Sequence, residues 1–260
     1  MQKIISWNVA SLRARMPALK RLLAEERPDI VCLQEVKATD ETFPAFELRL
    51  AGYHAALAGQ KSYNGVAILS RAPLADIVAP LPTFAEDAEA RFIQAALPGG
   101  EIVMSAYIPN GNPPERDPAD TARLAYKLKW MDALTRHAEG LLRAGKKVIL
   151  CGDFNVIARD ADVYNPKAFE GNALMLPPVR EAFARLAALP LTNALRALHP
   201  DERLYSFWDF QMGAWPRDLG ILLDYIFVAR GMEPAECRVL KDVRGWDKTS
   251  DHAPVLLVLK

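Results

Sequence analysis

The chain has 260 residues, of which 51% are hydrophobic and 25% charged, a composition typical of a soluble globular protein with one or two domains. Lysine plus arginine equals aspartate plus glutamate at 32 each, which excludes a uniformly basic nucleic-acid binder but not a local basic face. The sequence has no run of about 18 apolar residues, which argues against a membrane span, and the segment after Met1 is too polar for a secretory signal.

Eleven short apolar segments, bounded by glycine, proline, asparagine or aspartate, are predicted to be β-strands. In chain order they cover residues 4–9, 29–36, 53–58, 65–70, 91–97, 101–109, 147–156, 205–210, 223–228, 237–240 and 254–259. Helical periodicity is strongest over residues 119–144, where apolar side chains recur every three or four positions and Gly145 supplies a left-handed cap. Two further helices are predicted over residues 17–26, with proline in the first turn, and over residues 178–189.

The order of these elements predicts two similar halves. Each half opens with a strand that ends in asparagine, at Asn8 and at Asn155, and no linker rich in proline, glycine or serine divides the chain. Eleven short strands with few helices favour a layered α/β sandwich over a Rossmann sheet, which needs a helix between most strands. Loop 110–118 is long and rich in proline and polar residues, which is typical of a functional loop.

The cysteine content is typical of a reducing compartment. Cys32 and Cys151 lie inside apolar runs and Cys237 stands apart, with no CxxC pair and no zinc-ligand spacing. We therefore expect buried or incidental free thiols and a cytoplasmic protein.

Acidic, amide and imidazole side chains recur where the apolar strands end. They are Glu35, Asp153, Asn155, Asp224, Asp251 and His252. Oxygen ligands of this kind suit a hard cation such as Mg²⁺, and a histidine beside them can supply a proton or stabilise developing charge. Each residue alone is more often a turn former or a helix cap. Only their joint occurrence favours a catalytic site, and their spacing does not show that they converge.

Seven ordered motifs resemble those of the bacterial exonuclease III and apurinic-apyrimidinic endonuclease family, within the DNase I-like endonuclease/exonuclease/phosphatase superfamily. The motifs lie at residues 6–9, 33–37, 63–68, 107–110, 152–156, 223–226 and 250–254. Segments 107–110 and 205–209 favour this branch over lipid or inositol phosphatases. The resemblance implies one domain over residues 1–260, folded as a four-layer α/β sandwich of two face-to-face mixed sheets flanked by helices.

The resemblance implies a metal site. Glu35 would bind Mg²⁺, with Mn²⁺ as an alternative, while Asp251 lies nearby as a further carboxylate and Asn8 orients the metal site and the phosphate. The family often has asparagine or aspartate two residues after the first asparagine, whereas this chain has Ala10. One secondary metal contact is therefore expected to be missing.

The resemblance also implies catalytic roles for five residues. Asp153 would activate or position the attacking water, with Asn155 beside it at the phosphate. His252 would hydrogen-bond the phosphate, while Asp224 fixes its tautomer and keeps it charged. A buried carboxylate beside an imidazole raises the pKa of that imidazole. Tyr107 would contact the phosphate.

Four residues are implied to face DNA: Asn165, Trp208, Tyr63 and Arg13. Trp208 would line the pocket that accepts an extruded abasic sugar. The family's usual arginine and asparagine before Asp224 are replaced by Leu222 and Asp218. Losing a cation and gaining an anion near DNA is expected to weaken phosphate contact.

The implied function is that of a monomeric, Mg²⁺-dependent DNA repair nuclease. It would cut double-stranded DNA 5′ to abasic sites and remove nucleotides and blocking groups from 3′ ends. One alternative is a superfamily phosphoesterase that acts on RNA or on a small phosphorylated molecule. Another is a non-catalytic nucleic-acid-binding relative, against which the intact set of strand-end residues argues. The sequence does not rank abasic incision against the activities at 3′ ends.

Overall fold

The computed structural model describes residues 1–113, 117 and 119–260. The rest of the predicted functional loop 110–118 lies outside the described residues. The strands are β1 (Gln2–Asn8), β2 (Ile30–Gln34), β3 (His54–Ala58), β4 (Val66–Ser70), β5 (Ala75–Val78), β6 (Phe92–Ala96), β7 (Ile102–Tyr107), β8 (Val148–Asp153), β9 (Leu191–Asn193), β10 (Asp224–Ala229), β11 (Pro234–Val239) and β12 (Val255–Leu259). The α-helices are α1 (Leu12–Glu26), α2 (Ala45–Leu50), α3 (Ala122–Arg143), α4 (Pro177–Ala187), α5 (Ala194–Leu198) and α6 (Lys241–Arg244).

The described strands form two six-stranded mixed sheets. The first sheet has the order β11-β12-β1-β2-β4-β3, and the second has the order β5-β6-β7-β8-β10-β9. Strands β1 and β2 run parallel, as do β7 and β8, and every other pair in the described sheets is antiparallel. Each sheet therefore has a parallel pair near its centre.

The main hydrophobic core lies between the two sheets. Ile4 and Ile68 of the first sheet and Met104 and Leu150 of the second are fully buried in one cluster. Alternate side chains of the first sheet point the other way and pack with Leu19 of α1 in a second cluster. Helices α3 and α4 extend the main core beyond the second sheet. The predicted four-layer α/β sandwich is therefore confirmed.

Most predicted elements are confirmed, with three corrections. Segment 205–210 is not a strand, because Phe207 makes only isolated bridges to Ile221 and His252. Five short elements were not predicted: β5, which is largely exposed, and β9, α2, α5 and α6, which have three to six residues each. Helix α1 begins at Leu12, so Pro17 lies inside this helix rather than in its first turn.

The topology brings strand ends from both sheets to one edge. The parallel strands β1 and β2 end there at Asn8 and Gln34, which are paired in register. In the second sheet, β8 ends where its antiparallel neighbour β10 begins, so that Asp153 is paired with Asp224. The loops that follow or precede these strands therefore meet in space.

The three cysteines are buried free thiols, as expected. Within the part of the chain that the structure describes, no helix combines the length and the apolar character that a bilayer crossing requires.

Candidate active site

A network of hydrogen bonds and one ion pair joins the two sheets at the shared edge. Asn8 Nδ2 donates to Glu35 Oε1 at 3.0 Å and to Asp153 Oδ2 at 2.9 Å. His252 Nε2 lies 3.7 Å from the same Asp153 oxygen, and its Nδ1 lies 2.8 Å from Asp224 Oδ2. Five of the residues predicted from the sequence are thus brought together.

Asn8 holds the two carboxylates at a fixed separation. Both amide hydrogens are used by Glu35 and Asp153, and its Oδ1 accepts a hydrogen bond from the Ala10 backbone at 3.0 Å. The amide oxygen is therefore engaged by the backbone. Asn8 therefore orients the two carboxylates through its amide hydrogens.

Glu35 is the most strongly hydrogen-bonded carboxylate of the network. Its Oε1 also accepts from the Tyr107 hydroxyl at 2.8 Å, and its Oε2 lies 2.8 Å from the ammonium of Lys37. Burial acts to raise the pKa of Glu35, but Lys37, Asn8 and Tyr107 outweigh it, so the pKa lies below its ordinary value. Glu35 therefore remains negatively charged.

The Tyr107 hydroxyl is held as a donor. Burial, together with the negative charges of Glu35 and Asp153, raises the pKa of Tyr107 well above its ordinary value. The guanidinium of Arg91 lies 4.8 Å from the centre of the Tyr107 ring and fixes the ring from its other face. Tyr107 consequently keeps its proton over the physiological pH range.

Asp153, His252 and Asp224 form a buried acid–imidazole–acid group. Burial by itself would lower the pKa of His252, but the carboxylates of Asp224 and Asp153 outweigh it and raise the pKa to about 10. Burial raises the pKa of Asp153 to about 7, against the opposing charge of His252. Asp224 is fixed from behind by the Ser206 hydroxyl, which donates to its Oδ2 at 2.6 Å. The imidazole is therefore cationic beside a carboxylate poised to accept a proton.

Asn155 is positioned by the turn that follows β8. Its backbone N–H donates to Asp153 Oδ1 at 2.9 Å, and its Nδ2 donates to the Ile108 carbonyl at 2.9 Å. The residue has φ +50, a left-handed conformation that asparagine tolerates well. Gly152 precedes this turn because a Cβ there would lie 2.0 Å from the Ala106 carbonyl oxygen.

Comparisons with known proteins identify this arrangement. The sequence model of the endonuclease/exonuclease/phosphatase family matches residues 5–252. The chain belongs to this family. It is 34% identical to an exodeoxyribonuclease of Bacillus subtilis over 99% of both chains. It is 34% identical to the DNA repair nuclease APEX1 of Danio rerio, over 99% of this chain and 82% of the relative.

Solved structures give the same family relationship. A 3′ phosphatase NExo from Neisseria, bound to a product DNA hairpin, superposes with a TM-score of 0.95 at 35% identity over the whole of both chains. An AP endonuclease from Archaeoglobus fulgidus superposes with a TM-score of 0.93 at 31% identity, again over both whole chains. The family resemblance inferred from the sequence motifs is confirmed.

Two groups in this family member could hold a metal ion. Ligand atoms of Asp153, Asp224 and His252 lie within 4.8 Å of one another, but a cationic imidazole must first lose its proton to bind a metal there. Glu35 is negatively charged at the same edge, where its Oε2 is paired with the Lys37 ammonium. The carboxylate oxygen of Glu35 therefore fits a hard cation better.

The other residues with a predicted role lie outside the hydrogen-bonded network. Asp251 is half-buried next to His252, and its Oδ1 accepts from the Ser250 hydroxyl at 3.2 Å. Tyr63, Arg13 and Asn165 are exposed on three different loops or helix ends. They are accessible to a large ligand.

Trp208 does not face a pocket beside the imidazole. It is fully buried, and its indole N–H donates to Asp218 Oδ1 at 2.9 Å. The preceding residue, Phe207, contacts the imidazole instead, with 4.9 Å between the centres of the Phe207 and His252 rings. Neighbouring residues of an extended segment point in opposite directions. Phe207 is therefore the ring of this segment that contacts the imidazole.

An exposed apolar tip, which the sequence analysis did not identify, follows Phe207. The tip consists of Phe210, which is 55% exposed, and Met212, which is 69% exposed. The guanidinium groups of Arg15 and Arg244 lie 5.7 and 5.1 Å from the centre of the Phe210 ring. A tip of this kind, flanked by cations, is suited to a polyanion with apolar grooves.

Two of the three departures from the family motifs have structural explanations. Leu222 is fully buried in the main core, so no cation is lost from the exposed edge. Asp218 is paired with Lys241 at 2.9 Å and accepts the Trp208 indole N–H, so its charge is compensated. The expected weakening of phosphate contact by these two residues is therefore not supported. Ala10 has φ +45, a region in which asparagine or glycine is better tolerated.

Proposed function

We propose that this chain is a DNA repair nuclease that hydrolyses double-stranded DNA 5′ to abasic sites and trims 3′ ends. The observation that carries the proposal is the buried Asp153–His252–Asp224 group, linked through Asn8 to the charged Glu35. The relatives named as a DNA repair nuclease, a 3′ phosphatase and an AP endonuclease support the same function. Asn8 and His252, from opposite ends of the chain, meet at Asp153, which supports a single domain, and we propose a monomer because the site needs no residue from a second copy.

The chain's own residues account for the main requirements of phosphodiester hydrolysis. The cationic His252 donates Nε2–H to a non-bridging phosphate oxygen and stabilises the charge that develops there. Asp153, with its pKa near 7, accepts the proton of the in-line water. Asn155, whose Nδ2 uses one hydrogen for the Ile108 carbonyl, presents the other to the phosphate and limits its orientation, while Tyr107 holds Glu35 through its hydroxyl hydrogen.

Glu35 and Asp251 are the residues that would hold Mg²⁺, with Mn²⁺ as an alternative. The bound cation supplies a Lewis acid that neutralises phosphate charge and stabilises the leaving 3′ oxygen. Asn8 keeps Glu35 at a fixed distance from Asp153 through its two hydrogen bonds. Rigid placement of this kind limits the reorganisation needed for the reaction.

An apolar wall beside the imidazole supports an extruded sugar as the substrate. Phe207 contacts His252, and Ile221 and Leu223 form the adjoining cluster with Ile157. A sugar without its base is small enough to lie against such a wall, whereas a full nucleotide needs more room. The apolar tip of Phe210 and Met212 then supports a duplex ligand over a small phosphorylated molecule, because only an extended ligand reaches both surfaces.

A labelled duplex tests the proposed function. The wild-type protein, incubated with Mg²⁺ and one duplex carrying a single abasic-site analogue, is expected to leave one product with a 3′-hydroxyl end. A second duplex with a 3′-phosphate is expected to lose that phosphate. Both reactions should stop in EDTA. Cleavage of single-stranded RNA or of a small phosphate ester, without cleavage of either duplex, would favour the alternative phosphoesterase.

Phe207→Ala is expected to impair abasic-site cleavage selectively. The variant loses apolar contact with the sugar worth about 1.5–3 kcal/mol, which corresponds to about a 10- to 100-fold lower kcat/KM. Removal of a 3′-phosphate needs no extruded sugar and should change by less than about threefold. Steady-state rates on the two labelled duplexes check this difference.

Trp208→Phe is the matched control for Phe207→Ala. Trp208 is buried and hydrogen-bonded to Asp218, so its replacement should lower the melting temperature and change both activities by the same factor. A substrate-selective loss in Trp208→Phe, with none in Phe207→Ala, would restore Trp208 to the pocket wall.

A further inference from the structure

Lys127 is a fully buried lysine whose ammonium group points toward the active-site edge. It lies on α3, and its Nζ donates to the backbone carbonyls of Asn155 at 2.6 Å, Asn110 at 2.9 Å and Ala173 at 3.1 Å. An ammonium group has three N–H donors. All three are used, so the buried charge is fully hydrogen-bonded.

The three carbonyls belong to three different segments at the active-site edge. Asn110 lies in the loop after β7, Asn155 in the loop after β8, and Ala173 in the segment before α4. Burial lowers the pKa of Lys127 to about 7, and the charge of Asp153 opposes this change. Burying a lysine costs desolvation of its charge. The hydrogen bonds by which Lys127 connects the three segments explain its presence better than packing alone does.

Side-chain amides extend the connection between these segments. Asn112 Nδ2 donates to Asn110 Oδ1 at 2.7 Å and to Asn172 Oδ1 at 3.1 Å, while Asn112 Oδ1 accepts from the Ala173 backbone at 2.8 Å. Gly111 has φ +86, and a Cβ at this position would lie 2.6 Å from Lys127 Cδ. The chain is therefore shaped to let the lysine stem pass between the segments.

Two hydrogen bonds connect Lys127 to the carboxylate of Asp153 through the Asn155 backbone. Lys127 fixes the carbonyl of Asn155, whose own backbone N–H donates to Asp153 Oδ1. The other oxygen of Asp153 faces His252 and Asn8. A rotation of the Asn155 backbone would therefore turn the Asp153 carboxylate away from the water that it is proposed to activate.

We propose that Lys127 is a positioning residue for phosphodiester hydrolysis, which acts through the Asn155 backbone on Asp153 and does not contact the substrate. This inference rests on the proposed function. Without Lys127, the loops after β7 and β8 would lose their shared cation, and the carboxylate would lose its fixed direction. Misplacement of a catalytic group by about 1 Å costs about 100-fold in rate.

The test compares Lys127→Met, which keeps the stem but removes the donors, with Lys127→Arg, which keeps charge and donors. Lys127→Met is expected to lower kcat on the abasic duplex about 100-fold, with KM changed less than about threefold. Lys127→Arg should recover kcat to within about tenfold of wild type. Lys129→Met is the matched control, because Lys129 lies two residues further along the same helix and pairs with Glu86 in solvent. It should match wild type.

A double-mutant cycle separates positioning from simple destabilisation. All rates are measured where circular dichroism shows each variant fully folded, and binding of the uncleaved duplex is measured in EDTA. Lys127→Met combined with Asp153→Asn is expected to be little slower than Asp153→Asn alone, because Lys127 is proposed to act only through that carboxylate and residues that act as a unit are not additive. Lys127→Gln replaces Lys127→Met in the cycle if the latter does not fold.

The outcomes distinguish this inference from the proposed function. Additive losses in the cycle, or a Lys127→Met kcat within threefold of wild type, would overturn the positioning role. Weaker duplex binding in EDTA with unchanged kcat would also overturn it, because it would place Lys127 in ligand binding. If the wild-type protein cleaves neither duplex, the proposed function itself fails.

Discussion

Glu35→Gln is expected to lower kcat by about 1,000-fold at millimolar Mg²⁺ while the fold is retained. Glutamine has the same shape and can still accept the hydrogen bonds from Asn8 and Tyr107. It loses the negative charge that pairs with Lys37 at 2.8 Å and that a divalent cation would require. A 1,000-fold loss equals about 4 kcal/mol, within the range that a Lewis acid contributes.

Metal dependence distinguishes this loss from a general defect. Raising the concentration of Mg²⁺, or replacing it with Mn²⁺, should restore part of the activity, since Mn²⁺ binds such sites more tightly. Calorimetric titration with Mn²⁺ should show weaker binding to Glu35→Gln than to wild type. Glu47→Gln is the matched control, because Glu47 is half exposed and pairs with Lys20 at the surface. Wild-type rates for Glu35→Gln at low Mg²⁺ would contradict the assignment.

Five of the predicted site residues converge because they stand at strand ends. Apolar strands can be predicted from runs of hydrophobic residues in the sequence. The register of the sheet then brings the polar residues that follow these strands to one edge. Asp224 and Asp153 are direct partners in the second sheet, and Asn8 and Gln34 are partners in the first. The family resemblance supplied the roles that spacing alone did not.

The prediction of a strand over residues 205–210 was wrong because alternating side-chain character does not distinguish a strand from an irregular extended loop. Phe207 and Trp208 are both aromatic, and only the isolated bridges from Phe207 to Ile221 and His252 fix which ring faces the site. The same limit applies to Leu222, whose direction into the core follows from the strand that begins two residues later. Side-chain direction in such segments depends on tertiary contacts.

The position of Lys127 on the apolar face of α3 was visible in the sequence, but the sequence analysis did not use it. It lies three residues after Leu124 and four before Met131, on the apolar face that predicted helix α3. A charged residue within such a face is rarely buried without partners. Its partners are backbone carbonyls of distant loops, however, and no side-chain motif records them.

Asp224→Asn and His252→Asn are expected to behave as a single unit. His252→Asn removes the group proposed to touch the phosphate and should lower kcat by about 1,000-fold or more, the effect of losing a charged oxyanion donor. Asp224→Asn leaves the imidazole in place and should cost about 100-fold. The double variant should be little slower than His252→Asn alone, because Asp224 acts only through the imidazole.

The pH dependence of activity tests whether Asp224 raises the pKa of His252. In wild type, activity should rise as pH increases through about 7, where Asp153 loses its proton, and should fall as pH increases through about 10, where His252 loses its charge. Asp224 is the anion that raises the pKa of His252 most. Asp224→Asn should therefore move the alkaline fall to lower pH and narrow the active range from that side.

Kinetics of wild type, both single variants and the double variant over pH 5–11 decide the question. The Ser206 hydroxyl donates to Asp224 Oδ2 at 2.6 Å and so competes with the imidazole for this carboxylate. Ser206→Ala removes the competitor. It should therefore move the alkaline fall in activity to higher pH or leave it in place. Fully additive losses, or an alkaline fall in Asp224→Asn at the wild-type pH, would show that the two residues work independently. The buried pair would then contribute to the fold and not to the charge of the imidazole.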